Sequence, residues 1–389
     1  MPDPAAPRER RRVVVTGIGT VNALVSGGAS ALAGALAEAR GGIRPVAAFS
    51  VADCSSHLAA EVDDAMHELL IDPGEARRLS RVCRLAVAAA RLAVADARIE
   101  GGDRLAIVVG SEHGDFRSTQ EFAEGYLRRG PAGLSPMLFP NTVMNTMAAA
   151  SAIAVEARAP SLTLNQETVV GDLAVARGAS LVAAGRADAV VAGGVDEVCE
   201  VLYRELSALG ALSPMANGGA EGCRPFARDH NGPVLGEGGT FLVLEAWEHA
   251  TRRGARVLAA IADMAWGNVP VSSHRASVAR RDGQSPVHRL LRAQREAPAA
   301  VRRCYGAGNG DPAVDDWERA LLEWDLPDSA PPLLPPRSLA PLFGQQGGLG
   351  ALRVAAAALD VAQGIDPVLV HGVARGGCRV ALVLTAASP

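Results

Sequence analysis

The stretch LTLNQETVVGDLAVARGASLVAAGRADAVVAGG, residues 162–194, contains a strand, a turn, a helix and a second strand. Residues 162–164 are a short apolar run, and residues 165–171 have the composition of a turn. Residues 172–186 carry apolar side chains at helical spacing, and residues 189–192 are a buried strand. A strand, tight turn and helix in this order place one residue at a helix N-terminus, where backbone N–H groups stabilise an anion or thiolate.

Thr168 occupies this turn, between Glu167 and Val169. Acyl-transferring folds often keep a nucleophile at such a place, but a threonine hydroxyl needs a neighbouring base to become one. The only ionisable neighbour in the turn is the Glu167 carboxylate, which repels a developing alkoxide. The residues therefore predict a turn without nucleophilic chemistry, and an ordinary strand-turn-helix unit is the simpler interpretation of them.

Length and composition indicate a large folded chain. With 389 residues, of which 49% are hydrophobic and 21% charged, the chain can bury a core of two domains or of one duplicated domain. The net charge of -4 provides no basic field for nucleic acid. No apolar run reaches the ~18 residues that span a membrane. The six cysteines are scattered without CxxC pairs, which is typical of free thiols in a reducing cytoplasm. We therefore expect a cytoplasmic protein without a nucleic-acid or membrane partner.

Motifs for metals and cofactors do not occur in the sequence. The close pairs Cys54 with His57 and Asp63 with His67 complete no multi-ligand pattern. Residues 17–19 read GIG after a strand, but Asn22 stands where a dinucleotide fingerprint needs its third glycine. Neither a GxSxG elbow nor a Walker loop is present. The sequence therefore predicts neither a metal nor a cofactor.

Buried strands alternate with helical segments along the chain, and this alternation predicts a layered α/β fold. The predicted strands are residues 13–17, which run into a glycine turn, and residues 105–110, 240–245, 257–261, 367–370 and 378–385. The predicted helices are residues 31–37, 81–97, 116–127, 145–157, 247–253 and 351–363. Residues 223–239, CRPFARDHNGPVLGEGG, form a glycine-rich loop whose charged side chains can make ion pairs across its turns.

Three of these stretches resemble the β-ketoacyl synthases, a family with the thiolase fold. Residues 13–25, VVVTGIGTVNALV, are similar to the family's opening strand, and residues 187–197, ADAVVAGGVDE, to the strand after its nucleophile helix. Residues 223–245, CRPFARDHNGPVLGEGGTFLVLE, resemble its most recognisable internal signature. The resemblance extends over residues 12–385. It implies two similar halves, residues 12–246 and 251–387, stacked as a duplicated five-layer αβαβα architecture.

The catalytic motifs of that family are altered in this chain. An active ketosynthase has a cysteine in a TACSSG-like turn, a histidine in an HGTGT-like motif and a second histidine in a K-S-x-x-G-H-like motif. The matching stretches here are QETVVG, YGAGNGDP and RSLAPLFGQQGG. They put Thr168 at the cysteine position, Tyr305 and Leu342 at the histidine positions and Arg337 at the lysine position. A shift of two residues would put Gln166 at the cysteine position instead.

The resemblance therefore implies that the catalytic groups are lost. The two histidines would supply oxyanion donors and polarise a malonyl carboxylate for decarboxylation, and leucine can do neither. The family's GFGGxN-like turn with its gating phenylalanine reads VARGGCR from Val373, so this gate is changed as well.

A ketosynthase scaffold with a vacant active site resembles the chain length factors, the β subunits of type II polyketide ketosynthases. Such subunits form a heterodimer with a catalytic ketosynthase and meet the acyl carrier protein through that complex, which implies both partners here. Members that make aromatic polyketides commonly have glutamine at the lost cysteine position. Thr168 at this position favours a subfamily that makes reduced, polyene-like chains.

Two other functions remain open from the sequence. One is a β-ketoacyl synthase-like acyltransferase with an unusual nucleophile, for which Thr168 and Cys304 are the candidates, although Cys304 has no histidine or lysine neighbour to lower its pKa. The other is a free-standing acyl-binding or regulatory homodimer. A catalytic ketosynthase encoded by the neighbouring reading frame would distinguish the heterodimer subunit from both.

The resemblance also assigns the partner interface and the acyl tunnel. Helix 145–157 and strand 162–164 are similar to the family's dimer contact, where small residues allow close approach; these are Ala148, Ala149 and Ala150. The tunnel floor corresponds to residues 116–127 and 136–144. The residues expected to line it are Phe116, Phe122, Ala123, Met137, Phe139 and Met144. Plain core packing explains the large members of this set equally well.

Overall fold

The computed structural model describes residues 10–38, 40–65, 70–215, 218–269, 283–295, 301–326 and 335–387. Its strands are β1 (Val13–Asn22), β2 (Ser26–Gly27), β3 (Arg44–Pro45), β4 (Leu58–Ala60), β5 (Leu105–Ser111), β6 (Ser161–Asn165), β7 (Ala189–Asp196), β8 (Leu235–Gly236), β9 (Gly238–Ala246), β10 (Ala259–Asn268), β11 (Arg303–Tyr305), β12 (Val368–Val373) and β13 (Cys378–Thr385). The strands β3, β4 and β8 form a small separate sheet.

The helices follow the apolar periodicity of the sequence closely. They are α1 (Ala29–Glu38), α2 (Pro73–Ala76), α3 (Arg81–Ala97), α4 (Phe116–Arg129), α5 (Thr146–Ala154), α6 (Val170–Ala183), α7 (Glu200–Ala208), α8 (Trp247–Arg252), α9 (Pro286–Arg295), α10 (Pro312–Asp325), α11 (Ala340–Phe343) and α12 (Leu349–Ala362). Short 3-10 helices cover Gly130–Gly133 and Phe139–Thr142.

The main sheet contains the same succession of strand pairs twice. In the first half, β5 pairs with β7 in parallel, β7 with β9 antiparallel, and β9 with β1 antiparallel. In the second half, β11 pairs with β12 in parallel, β12 with β13 antiparallel, and β13 with β10 antiparallel. The two halves join where Val13 pairs with Ile261. This repetition is the duplication that the resemblance implied.

Helices cover the sheet in three layers. The helices α3 and α5 pack on the outer face of the first half, and α9 and α10 pack on the second half. The helices α6 and α12 lie between the two halves and contact strands of both. The predicted αβαβα order is therefore confirmed. The exact limits of the two halves, residues 12–246 and 251–387, stay a prediction.

The glycine turn predicted after residue 17 is wrong. The strand β1 continues to Asn22, with a β-bulge between Val15 and Gly17. A Cβ on Gly19 would lie 2.1 Å from the backbone nitrogen of Ala93 in α3. The glycines of this strand therefore allow α3 to pack directly against the sheet and do not turn the chain.

Close approach also explains the glycines of the central helix layer. A Cβ on Gly171 of α6 would lie 2.6 Å from the carbonyl oxygen of Gly347, and one on Gly350 of α12 would lie 2.3 Å from the backbone nitrogen of Asp172. The N-terminal turns of α6 and α12 therefore touch through their backbones. This contact fixes the residues at the start of α6, where the candidate site lies.

Candidate functional site

The turn between β6 and α6 is a strained elbow. Thr168 has a φ of 56°, in the left-handed region that a β-branched residue rarely adopts, and it is buried. Backbone strain of this kind persists only where the surrounding structure enforces it, and it concentrates at functional sites. Gln166 lies two residues earlier, in contact range of Gly376, where an added Cβ would be 3.8 Å from the Gln166 Nε2. Thr168 lies two residues before Val170, the first residue of α6, and its assignment to the lost cysteine position in preference to Gln166 stays a prediction.

Ala307 of the second half lies near the end of the elbow. A Cβ on Gly372 would lie 3.5 Å from the Ala307 Cβ and 2.8 Å from the Val169 Cγ1, so both side chains lie close to Gly372. The backbone N–H groups of Ala307 and Gly308 donate to Glu318, at 3.1 and 2.8 Å. A methyl group thus stands beside the elbow, where it offers neither a proton donor nor a base.

Tyr305, predicted for this position, instead points to α12. Its hydroxyl donates a 2.7 Å hydrogen bond to Asp360, and burial raises the pKa of the phenol, so that Tyr305 stays protonated. Tyr305, Arg337 and Leu342 line one cavity of about 430 Å³ between α1, β11 and α12, and Thr168 is not among its lining residues. Tyr305 and Leu342, two of the three positions that are predicted to have lost a catalytic residue, therefore lie together in this cavity. The third, Thr168, lies apart from them.

Carboxyl and amide groups surround the elbow on the side of the first half. Glu112, whose side chain is 7% exposed, accepts a 2.5 Å hydrogen bond from Gln345, which in turn accepts one from Asn309 at 3.2 Å. Burial and the neighbouring Asp196 raise the pKa of Glu112 well above its usual range, while Gln345 and the Thr168 backbone N–H act in the opposite direction. Burial thus favours the neutral form of the Glu112 carboxyl group over the carboxylate.

The sequence analysis did not identify Glu112, Gln345 and Ala307 as residues of this site. For Glu112, however, the sequence contained a usable signal. The strands β5, β6 and β7 are parallel neighbours, so their carboxyl ends meet at one edge of the sheet. Glu112 directly follows β5, and Asp196 ends β7, where its carboxylate accepts from Ser111 Oγ at 2.6 Å. A carboxylate at that edge was therefore predictable, but its partner Gln345, 233 residues away, was not.

The only imidazole that we find at Glu112 among the described residues is that of His113. Its Nε2 lies 4.0 Å from the Glu112 Oε2, beyond hydrogen-bond distance.

A buried ion pair holds the first turn of α6. Arg353 of α12 donates to both carboxylate oxygens of Asp172, with the Nε contact at 3.2 Å, and both side chains are 1% exposed. The same guanidinium reaches the Thr168 carbonyl oxygen at 3.4 Å. Burial raises the pKa of Asp172, and Arg353 counteracts this shift. The strained elbow is therefore supported by an ion pair inside the central helix layer.

The turn that begins at Val373 is hydrogen-bonded to the loop that carries Ala307. Arg375 of the turn that begins at Val373 donates a 2.5 Å hydrogen bond to Asp311 at the N-terminus of α10. Its neighbour Gly376 lies close to Gln166 of the elbow turn. An ion pair therefore connects this turn to the start of α10.

Cys304 does not fit the role of an alternative nucleophile. Its side chain is buried, and burial raises the pKa of the thiol well above its usual range, a shift to which Glu318 adds. A thiolate is therefore disfavoured at this position. All six cysteines are free in the structure.

The predicted tunnel residues lie on and under an exposed apolar surface. Met137 and Phe139 are 85% and 58% exposed, and the Phe139 ring packs against Phe122 at 6.0 Å between centroids. Met144 lies under this surface, 3.3 Å from a Cβ built on Gly114. Phe116 is half-buried at the start of α4, and Ala123 is exposed. The surface also includes Tyr126, Leu127, Leu134, Val143 and Ile153, which we call, together with Met137 and Phe139, the apolar surface.

The predicted interface residues continue this surface. Ala148 of α5 is buried, Ala150 is half-buried, and Ala149 is exposed together with Ile153 one turn later, which is 81% exposed. The strand β6 is the edge of the main sheet and pairs with β5 only, among the strands that the structure describes. An unpaired edge strand beside exposed apolar side chains is suited to pairing with another chain.

The described residues contain no cluster of three or more histidine, cysteine or acidic side chains arranged to hold a metal ion. His67, of the predicted pair Asp63 and His67, lies outside the described residues. None of the described helices combines the length and the hydropathy of a membrane span.

Known proteins similar to this chain share both its sequence pattern and its fold. The family "Beta-ketoacyl synthase, N-terminal domain" matches residues 10–250. The chain is 32% identical over 373 residues to the oxytetracycline polyketide putative beta-ketoacyl synthase 1 of Streptomyces rimosus, covering 92% of this chain and 87% of that protein. It is 26% identical over 363 residues to the 3-oxoacyl-(acyl-carrier-protein) synthase 2 of Synechocystis sp., covering 91% and 86%.

Solved structures agree with these relatives. A chain of the ishigamide ketosynthase/chain length factor superposes with a TM-score of 0.84 at 25% identity, covering 97% of this chain and 100% of that chain. A beta-ketoacyl synthase from Burkholderia phymatum superposes with a TM-score of 0.80 at 21% identity, again covering 97% and 100%. The predicted thiolase fold is therefore confirmed.

Proposed function

Because this chain belongs to the β-ketoacyl synthase family, we propose that it is a non-catalytic chain length factor of a type II polyketide synthase. It pairs with a catalytic ketosynthase subunit, and it shapes the tunnel that sets the length of the growing polyketide. The observation that carries the proposal is the elbow itself. Its strained backbone is intact, yet Thr168 supplies a hydroxyl where an active ketosynthase has a thiol, and Ala307, which lies near the neighbouring Val169, supplies no imidazole.

The exposed surfaces support the heterodimer. Seven large apolar side chains between Tyr126 and Ile153 are exposed, and the helix α5, which carries Ile153, contacts the edge strand β6. One of the similar structures is the ishigamide ketosynthase/chain length factor, and another is a type II acyl-carrier protein in complex with its ketosynthase. By this likeness, the partners of our chain are a catalytic ketosynthase and, through it, an acyl carrier protein. Thr168, in place of glutamine, favours a reduced, polyene-like product.

Co-expression with a catalytic ketosynthase from a neighbouring reading frame tests the proposal. We expect the two proteins to co-purify and to extend malonyl units on an acyl carrier protein, while neither condensation nor malonyl decarboxylation occurs with our chain alone. The mass of the acyl chain trapped on the partner's cysteine then gives the product length. Turnover by the isolated chain would contradict the proposal.

A second function is favoured by one observation. The Glu112 carboxyl group interacts with the Thr168 backbone N–H, and its ionised form, although disfavoured by burial, would be a general base for a hydroxyl nucleophile. If Thr168 were such a nucleophile, the isolated chain would transfer acyl groups, and Thr168→Ala would abolish the transfer. Thr168→Ser, which keeps the hydroxyl, serves as the matched control.

Thr168→Cys is expected not to restore condensation. The variant supplies a thiol at the elbow, but Tyr305 and Leu342, at the predicted histidine positions, still lack imidazoles, so the oxyanion and the malonyl carboxylate remain unstabilised. The measurement is radiolabel transfer from malonyl carrier protein, with the partner ketosynthase as positive control. Carbon–carbon bond formation by the variant alone, above the wild-type background, would show that the site is competent without histidines.

Product length is expected to respond to the tunnel residues. Phe116→Ala removes a large side chain and should lengthen the product by one or more two-carbon units, whereas Ala123→Phe fills space and should shorten it. Leu209→Ala, which changes a 76% exposed apolar residue outside the apolar surface, is the matched control and should leave the length unchanged. Product mass from each reconstituted heterodimer is the measurement. Unchanged mass from both well-folded variants, with a stability loss of about 3–5 kcal/mol for Phe116→Ala, would identify Phe116 as a core residue.

A further inference from the structure

The cavity between α1, β11 and α12 has an apolar wall. Leu36 of α1, Leu342 of α11 and Leu359 of α12 line it, with small alanine side chains between them. Its volume of about 430 Å³ lies within the range of ~300–1,000 Å³ that is common for small-molecule sites. The wall therefore fits a slender hydrocarbon ligand.

The charged groups of this cavity leave one cation free. Arg303 forms an ion pair with Asp360, which also accepts the hydrogen bond of Tyr305, so these three groups satisfy one another. The Arg337 guanidinium has no side-chain hydrogen bond or ion pair with any described residue. Its backbone, by contrast, is fixed on both sides, since its N–H donates to Cys304 and its carbonyl accepts from Gly306, each at 2.9 Å.

The described lining of the cavity thus combines a net positive charge with hydrocarbon side chains. With Arg303 and Asp360 neutralising each other, Arg337 contributes one positive charge that no described residue compensates. A planar guanidinium matches the geometry of a carboxylate and binds both of its oxygens. An apolar tail attached to that carboxylate would cover the half-buried side chains of Leu36 and Leu342.

We propose that this cavity binds a medium-chain aliphatic carboxylate, with the carboxylate on Arg337 and the tail along Leu36, Leu342 and Leu359. The site is separate from the elbow, because Thr168 and Val169 do not line it. The proposal goes beyond the role of a chain length factor and does not depend on a ketosynthase partner. Affinity should increase with tail length from hexanoate to decanoate, because each added CH₂ group is buried against the leucines.

Calorimetric titration of the isolated full-length chain with decanoate tests this site. We expect saturable binding at one site, and we expect Arg337→Gln to weaken it by about tenfold or more, as for loss of a charge-assisted hydrogen bond. Arg337→Lys, which keeps the charge without the bidentate fork, should weaken it less. Arg158→Gln is the matched control, because Arg158 is an exposed arginine that does not line the cavity, and it should bind as the wild type does.

Titration with decanamide distinguishes recognition of the carboxylate from nonspecific hydrophobic binding. This uncharged analogue should bind at least about tenfold more weakly than decanoate to the wild-type chain, and equally weakly to Arg337→Gln. The proposal is overturned if the wild-type chain shows no saturable binding, if decanamide binds as tightly as decanoate, or if Arg337→Gln leaves the affinity for decanoate unchanged. Circular dichroism of each variant establishes that it is folded.

Discussion

Ala149→Glu is expected to abolish the heterodimer with the catalytic ketosynthase. Ala149 is exposed on α5, one turn before Ile153, and both flank the edge strand β6. If this face packs against the partner, the substitution buries an unpaired carboxylate and also separates two backbones that small residues allow to approach. Burial of an unpaired charge costs about 3 kcal/mol or more, which corresponds to at least about 100-fold weaker association.

Size-exclusion chromatography of the co-expressed pair measures this effect. We expect the two subunits to elute separately when this chain carries Ala149→Glu. The control is Ala31→Glu, which introduces the same charge at an exposed alanine of the helix α1 and should leave the heterodimer intact. Co-elution of the Ala149→Glu variant with its partner would show that the interface lies elsewhere on the chain.

The elements of the fold were predictable where hydrophobic periodicity is strong. The helix α3 has the predicted limits of residues 81–97, and β5 differs from its prediction by one residue, because both consist of long runs of small or branched apolar side chains. The error at residues 17–19 has a physical cause. Glycine favours a turn, but here it serves close packing, since α3 approaches β1 too closely for any Cβ.

The site was less predictable, because its members come together only in the folded chain. Thr168 was located from local sequence, since the elbow is formed by consecutive residues. The surroundings of Tyr305 and Ala307 were not predictable, because a short strand shows no periodicity that fixes which way its side chains and those of the following loop point. The hydrogen bond of Tyr305 to Asp360, 55 residues later, decides that orientation and leaves no trace in the local sequence.

Arg353→Met is expected to destabilise the protein by about 3–5 kcal/mol, since it leaves a buried carboxylate without its partner. Asp172 and Arg353 are each 1% exposed, and Arg353 is the group that counteracts the effect of burial on the Asp172 pKa. Removal of both charges by Asp172→Leu with Arg353→Met should recover most of the loss, because two apolar side chains of similar size replace the pair. Urea unfolding of both variants and of Arg158→Met, an exposed control, gives these values.

The pH dependence of Arg353→Met distinguishes an unpaired charge from a packing defect. Without Arg353, the folded-state pKa of Asp172 stays above its unfolded value, so the protonated carboxyl group is favoured in the folded chain. The variant then loses stability relative to the wild type as the pH rises through that folded-state pKa, and the difference is smaller in acid. If the free energy of unfolding of the variant is lower than that of the wild type by the same amount at pH 5 and at pH 8, the loss comes from packing alone. The Arg353 guanidinium also lies 3.4 Å from the Thr168 carbonyl oxygen. A loss of stability that depends on pH would therefore mean that the Asp172–Arg353 ion pair also stabilises the elbow.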